Sequence, residues 1–195
     1  MTRAVTLPEL GEFFELRSQS FSLPYSDRDD WLHRIEADVD AACIGTFDGD
    51  RLLAALRVLP GGQWWLRRSL PMGGIAAVVV RPEARGRGVA RSLLHGALDW
   101  MRTAGIAVSA LHPASTRVYR SSGWELAGRE GILRVPTRSA AAIRVGADLA
   151  VDRLTLDDLA AMRACYADVA LRTHGALDRS SSYWHLVEAT LDSPA

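Results

Sequence analysis

Apolar residues recur along the first part of the chain at helical spacing and then switch to strand spacing. Leu10, Phe13, Phe14, Leu16 and Phe21 fall roughly on one side of a helix over residues 10–21, which a loop through Pro24 follows. Ser26-Asp27-Arg28-Asp29 has the form of a capping box and predicts a second helix that carries Trp31, Ile35 and Val39 toward the core. Residues 41–48 and 52–59 read as strands about the tight turn Asp48-Gly49-Asp50, and 63–69 as a third strand after Gly61-Gly62. Trp64 and Trp65 are adjacent on that strand, so they face opposite sides and are expected to pack. Residues 75–80 form a continuous apolar strand that must be covered on both faces.

Beyond a stretch rich in glycine and arginine, helical spacing returns. Val89, Leu93, Leu94, Ala97, Leu98 and Met101 make the apolar side of a long helix that Gly105 ends, with Arg91, His95, Asp99 and Arg102 on the other side. A short strand over 106–111 and a brief helix over 116–120, stopped by Gly123, follow, then weaker strand candidates over 131–135 and 140–144 around Pro136. Helices, antiparallel strands, a buried strand, a crossover helix and a further parallel strand predict an α/β fold with a mixed, mostly antiparallel sheet flanked by helices. The opening then recurs: Thr6-Leu7-Pro8-Glu9-Leu10 with Phe13 matches Thr155-Leu156-Asp157-Asp158-Leu159 with Met162, with the apolar positions in register. Two organisations stay open, a second copy of one unit or two good helix starts. The division expected is 1–146 for the first unit and 147–195 for the beginning of a second, which is too short to close its own core.

Composition narrows the partners. The chain has 195 residues and equal numbers of acidic and basic side chains, 23 each, so no net field draws it to nucleic acid or anionic membrane, and no sustained basic run does so locally. Cys43 and Cys165 stand far apart without neighbouring ligand residues, which predicts buried free thiols rather than a disulfide or a structural metal. The N-terminus lacks a signal-peptide core, and no run approaches the roughly 18 apolar residues of a membrane span, so a cytoplasmic protein is expected.

The candidate chemistry lies in Val78-Val79-Val80-Arg81-Pro82-Glu83-Ala84-Arg85-Gly86-Arg87-Gly88-Val89-Ala90. A strand running through glycines into a helix presents backbone N–H groups to an anion at the positive end of the helix dipole. A P-loop is excluded because no Lys-Ser or Lys-Thr pair follows the glycines, and a dinucleotide fingerprint is weakened by Arg91 where the third glycine belongs. What survives is Arg85-x-x-Gly88-x-Ala90, which resembles the pyrophosphate loop of the GNAT acetyltransferases. Residues 72–82 and 110–124, the latter ending in Tyr119-Arg120-Ser121-Ser122-Gly123-Trp124, look like the Eis-type (enhanced intracellular survival) members of that superfamily.

The resemblance implies a GNAT fold and an N-acetyltransferase that moves an acetyl group directly from acetyl-CoA to a primary amine. The acceptor is an aminoglycoside-like molecule, a polyamine or a lysine side chain. Arg85, Gly86, Arg87, Gly88, Val89 and Ala90 then hold the pyrophosphate, and the main chain of Val78, Val79 and Val80 pairs with the pantetheine amides as an added strand. Ser115 matches a position whose backbone lies near the cofactor. Tyr119 matches the tyrosine that protonates the departing thiolate, and no metal takes part. Family members are long chains with two GNAT units and a sterol-carrier-like domain whose terminal carboxylate serves as the base. Nothing matching that base is present here, so a fragment, a shortened relative and a non-catalytic acyl-CoA-binding module all stay open. Among local residues, His112 is the best-placed base, while Asp27, Asp29, Asp30 and Glu36 form either an acidic mouth for cationic amines or simply a good helix start. Relatives assemble into hexamers, which leaves homo-oligomerisation open for this chain, with Leu159, Met162 and Tyr166 as apolar residues in need of a partner surface.

Overall fold

The computed structural model describes residues 1–38, 40–129, 131–143, 153–179 and 184. The helix expected first is α1, Leu10–Phe21, and it buries Leu10, Phe13, Phe14 and Leu16, while Phe21, its last residue, stays exposed where Ser22 turns left-handed (φ 53°). Helix α2, Arg28–Ala37, buries Trp31 and Ile35; Val39 lies outside the described residues. The expected capping box at its start does not form. A single 3-10 turn after Pro24, Tyr25–Asp27, makes Asp27 the N-cap, and Ser26 Oγ donates to Asp27 Oδ1 instead.

Among the described residues five strands lie in the order β1-β2-β3-β4-β5 and a sixth is added to β3: β1 is Thr2–Ala4, β2 Ala42–Asp48, β3 Arg51–Trp65, β4 Arg68–Val80, β5 Val108–Leu111 and β6 Leu177–Asp178. Among the described residues only the β4–β5 pairing is parallel. The break expected at Gly61-Gly62 is absent, because β3 continues to Trp65 and the chain reverses at Leu66 and Arg67, both at positive φ (50° and 64°). Gly62 serves packing rather than turning: a Cβ there would lie 2.5 Å from Ser69 Oγ and 2.7 Å from Asp178 Cβ, where β6 crosses. Trp64 and Trp65 thus sit near a hairpin tip, Trp65 facing the His174 ring at 5.9 Å.

Helices cover both faces of the sheet, as a chain with apolar residues on both sides of β3 requires. On one face Phe13 and Phe14 of α1 and Trp31 of α2 pack on Leu52, Ala55 and Val79, with the Phe13 and Trp31 rings edge to face at 5.4 Å. On the other, α3 (Val89–Thr103) sets Leu93, Leu94, Ala97 and Met101 against Ala54, Leu56, Val58 and Ile75. The architecture is therefore the expected one, α/β with a mixed, mostly antiparallel sheet flanked by helices. After β5 come two short helices, α4 (Thr116–Arg120) and α5 (Thr137–Ala140). The strands expected at 131–135 and 140–144 are not formed: Ile132 and Leu133 are exposed without a ladder, and α5 ends at Ala140, with Arg144 outside the described residues. Helix α6, Leu159–Ala170, completes the described elements.

The two matching windows fold alike. Each has a threonine N-cap with a reciprocal carboxylate three residues on, a three-residue 3-10 turn and a 12-residue helix. Their surroundings differ, since Phe13 is fully buried whereas Met162, its match, is only half-buried. Of the two free cysteines, Cys165 is exposed, contrary to expectation, and Cys43 is half-buried, its thiol pushed up by that burial.

The first cap also links stability to pH. A bidentate pair from Arg3 (2.6 and 2.8 Å) holds the Glu9 carboxyl down at about 2, against a partial opposing effect of desolvation. Because the folded value lies below the ordinary 4.5, the stabilisation is present above that pH and is lost as pH falls from 4.5 toward 2. The pair is partly exposed, so the amount is about 1 kcal/mol. Urea melts at successively lower pH are expected to show a shallower acid loss in Glu9→Gln than in the wild type.

Candidate active site

Two unpaired main-chain surfaces meet where β4 leaves β5. The parallel ladder runs from Met72↔Val108 to Ile75↔Leu111 and stops, while β4 continues to Val80 against β3. Past Ile75, the edge of β4 on the β5 side has no strand partner among the described residues. A bulge marks the departure: pairing passes from Arg57↔Ala76 to Ala55↔Val79 with one extra residue in β4, and Ala77 takes φ 51°. Arg81 N–H donates to Leu53 O at 2.9 Å, so strand alternation turns the peptide groups of Val80 and Val78 to the open side and those of Val79 toward β3. From the open side Arg85 Nε reaches Val80 O at 3.4 Å. Val79 differs in its side chain too, which is buried on the α1/α2 face, while Val78 and Val80 pack on the α3 face.

The second surface is the head of α3. Pro82–Ala84 make one 3-10 turn, Gly86 and Gly88 take φ 72° and 78°, and Gly88 caps the helix. A helix leaves its first N–H groups without internal acceptors, and here the first bond of α3 is Ser92 N–H to Gly88 O at 3.1 Å. The N–H groups of Gly86, Arg87, Gly88, Val89, Ala90 and Arg91 are therefore free of backbone acceptors among the described residues, on a segment where Arg85 to Gly88 are exposed. The positive end of a 15-residue helix adds to their field. Such a turn can hold a phosphate, and the adjoining strand edge can pair with an extended amide-bearing ligand.

Arg81 anchors the junction of these surfaces. Its Nε donates to Leu52 O and its Nη2 to Glu12 Oε1 of α1, each at 2.6 Å. Glu12→Gln is expected to lower stability by about 1–2 kcal/mol, the scale of a charge-assisted hydrogen bond. Hydrogen exchange at the Ala84 and Arg85 amides then speeds up relative to the rest of the sheet.

Tyr119 lies in the same apolar cluster as Val78, Val80, Val89 and Leu93, so α4 returns it to the open side of β4. It stands edge to face with Trp124 at 6.5 Å, and Trp124 Nε1 donates to Ser109 Oγ of β5 at 3.2 Å. Burial raises the phenol above its ordinary value of 10, so it keeps its proton through the neutral range. Its hydroxyl has no hydrogen-bond partner among the described residues. Ser115 is the exposed N-cap of α4 with no side-chain capping bond, and His112 is the first residue past β5, also exposed.

The structure thus brings together Val78, Val80, Val89 and Tyr119 and sets the Arg85–Ala90 turn beside them, while the side chain of Val79 points to the other layer. Asp27, Asp29 and Asp30 lie at the exposed start of α2, where Arg28 Nη1 donates to Asp29 Oδ1 at 3.3 Å, as a solvated helix start does. Sequence patterning missed the Ala77 bulge and the Arg81–Glu12 tie. A signal for the bulge exists in the small residues Gly73-Gly74 and Ala76-Ala77 just ahead of the valines, which let a strand distort cheaply. The tie joins residues 69 apart and has no local signature.

A sheet split beside a free N–H turn at the head of the crossover helix defines an N-acyltransferase fold. The chain belongs to the GNAT acetyltransferase family: residues 1–127 match the acetyltransferase (GNAT) domain. It is similar to the crystal structure of a GCN5-related N-acetyltransferase from Kribbella flavida, with 30% identity and a TM-score of 0.77 over 99% of this chain and 50% of that one. A second such protein, from Anabaena variabilis, has 28% identity and a TM-score of 0.79 over 100% of this chain and 49% of that one. The chain therefore spans about half the length of these two. A GCN5-related N-acetyltransferase from Ralstonia eutropha shares the fold at 22% identity, TM-score 0.57, over 69% of this chain and 97% of that one. No curated protein matches the chain. Members of the family generally use acetyl-CoA and act on amines of small molecules or proteins. No helix among the described residues is long and apolar enough to cross a membrane.

Proposed function

We propose that this chain is an Eis-like N-acetyltransferase that binds acetyl-CoA at Val78–Val80 and Arg85–Ala90 and acetylates a primary amine directly, on a small molecule or a lysine side chain. The observation that carries this reading is the meeting of two main-chain surfaces without backbone partners among the described residues, the β4 edge past Ile75 and the N–H groups from Gly86 to Arg91. The cofactor supplies an acyl thioester that an amine can attack. The protein's part is to orient and to move one proton. The turn at the head of α3 fixes the phosphate end, the open peptide groups of Val78 and Val80 align the arm, and Ser115 adjoins it through its backbone. Donors on the bulged strand would face the carbonyl oxygen, and Tyr119 Oη would give its proton to the leaving sulfur and be reprotonated, through solvent, by the proton that the amine nitrogen loses. Residues 1–146 form the cofactor-binding unit, and 147–195 begins a second unit of the same kind, a division supported by the matching caps at Thr6 and Thr155.

Calorimetry with coenzyme A, paired with a thiol-release assay over polyamines, aminoglycosides and lysine peptides, tests the proposal. Binding together with turnover on at least one acceptor is expected. Binding without turnover across the panel favours an acyl-CoA-binding module, and failure to bind overturns both.

A further inference from the structure

The face of the sheet opposite α3 carries a group of arginines that the cofactor site does not use. Arg57 of β3 is the register partner of Ala76, next to the bulge at Ala77. It lies under α1 and α2, where Nη2 donates to Asp38 Oδ2 at 2.7 Å just past the end of α2. Its Nε is buried without a hydrogen-bond partner among the described residues. Arg17 of α1 holds its guanidinium over the Trp31 ring at 5.6 Å, and its pKa is pushed down by burial and then by the charges of Arg34 on α2 and of Arg57. Asp27 opposes that shift, and Asp38 pairs with Arg57. Neighbouring Cys43 shares a side-chain hydrogen bond with the Arg57 guanidinium and adds no negative charge, since burial raises its thiol above the ordinary 9.0 against the opposing pull of Arg57.

A buried guanidinium N–H without an acceptor, among cations that repel one another, has the character of an anion site without its anion. The chain contains no lysine, so each of these cations is a planar fork suited to bidentate oxyanions. Position gives the group a task. If the phosphate end of the donor lies at the head of α3 and its arm follows β4 from Val80 toward Ala76, the thioester ends at the bulge. The acceptor must arrive there, beside Arg57.

We infer that the acceptor amine also bears an oxyanion, a carboxylate or a phosphate, which Arg17, Arg34 and Arg57 hold between α1, α2 and the bulged strand. This rests on the acetyltransferase reading and narrows its substrate class away from purely cationic amines.

Matched acceptors test it: lysine against cadaverine for the carboxylate, and phosphoethanolamine against ethanolamine for the phosphate. In at least one pair the anionic member is expected to have kcat/KM at least tenfold higher, and the pair so favoured identifies the anion. Arg34→Gln, at an exposed position, and Arg17→Gln should each reduce that ratio severalfold, and Arg34→Glu should bring it near one. Ratios near one in the wild type, or ratios unmoved by all three variants, overturn the inference. A second readout is independent of turnover. The arginine Nε–H resonances in nuclear magnetic resonance should shift and saturate with the favoured anion-bearing amine and stay still with its partner that lacks the anion. Saturable shifts without thiol release uphold the anion site and overturn the transferase reading, whereas thiol release with unmoved resonances does the reverse.

Discussion

Gly88→Glu is expected to lower affinity for coenzyme A by roughly 10²–10³-fold while the fold survives. A Cβ at Gly88 would meet nothing within 4 Å, so the new side chain does not collide with the protein. The backbone cost is that of a non-glycine residue at φ 78°, about 1–2 kcal/mol, or a melting temperature lower by roughly 2–8 °C. The effect on the ligand is larger. A carboxylate at about 5 Å from a phosphate charge, at an effective dielectric constant of about 20, costs about 3 kcal/mol, and it also covers N–H groups meant for the ligand. Gly88→Asn separates the contributions, because asparagine tolerates the left-handed region and adds no charge. Calorimetry of the three proteins should rank them wild type, Asn, Glu, with the last step the larger. Equal affinity in the glutamate variant removes this turn from the cofactor site.

Tyr119→Phe should cut kcat by about 10²-fold, the lower end of what a positioned proton donor contributes, with coenzyme A affinity unchanged within about twofold. The ring stands edge to face with Trp124 within the apolar cluster on the α3 side, and phenylalanine keeps that packing. The hydroxyl has no partner to lose among the described residues, so stability should stay within about 0.5 kcal/mol. The pH profile adds a check. Burial raises the phenol, so it is protonated below 10 and loses its proton only above that value. Any alkaline change in wild-type rate below pH 10 must then come from another group, and the variant should retain it. Equal turnover in the phenylalanine variant takes the proton-donor role away from Tyr119.

How much of this was legible in the sequence depended on range. Helix α1 reads off the spacing of Leu10, Phe13, Phe14 and Leu16 to its last residue, because local periodicity and the Thr6/Glu9 cap determine it together. The turn from Arg85 to Ala90 reads equally well, since its two glycines are needed at positive φ wherever the rest of the chain goes. The hairpin was misplaced. Gly61-Gly62 carries a stronger turn signal than Leu66-Arg67, yet Gly62 is required for the approach of Asp178, a contact across 116 positions of chain that no local pattern records. The strands expected at 131–135 and 140–144 failed for a related reason, because apolar propensity alone forms no ladder without a neighbouring edge.

By itself, then, the sequence determined the elements whose information is local: amphipathic helices, capped helix starts, and a glycine turn that frees a row of N–H donors. Only the tertiary structure decided where β4 and β5 part, that Val78 and Val80 rather than Val79 open toward the split, and that Tyr119 returns to the same cluster. It also brought Arg17 of α1 over the Trp31 ring of α2 and Arg57 of β3 to Asp38 at the end of that helix. The physical reason is that strand pairing and side-chain clustering are long-range exchanges of water for protein contacts. Their partners are chosen by the whole fold, and short-range spacing does not encode them.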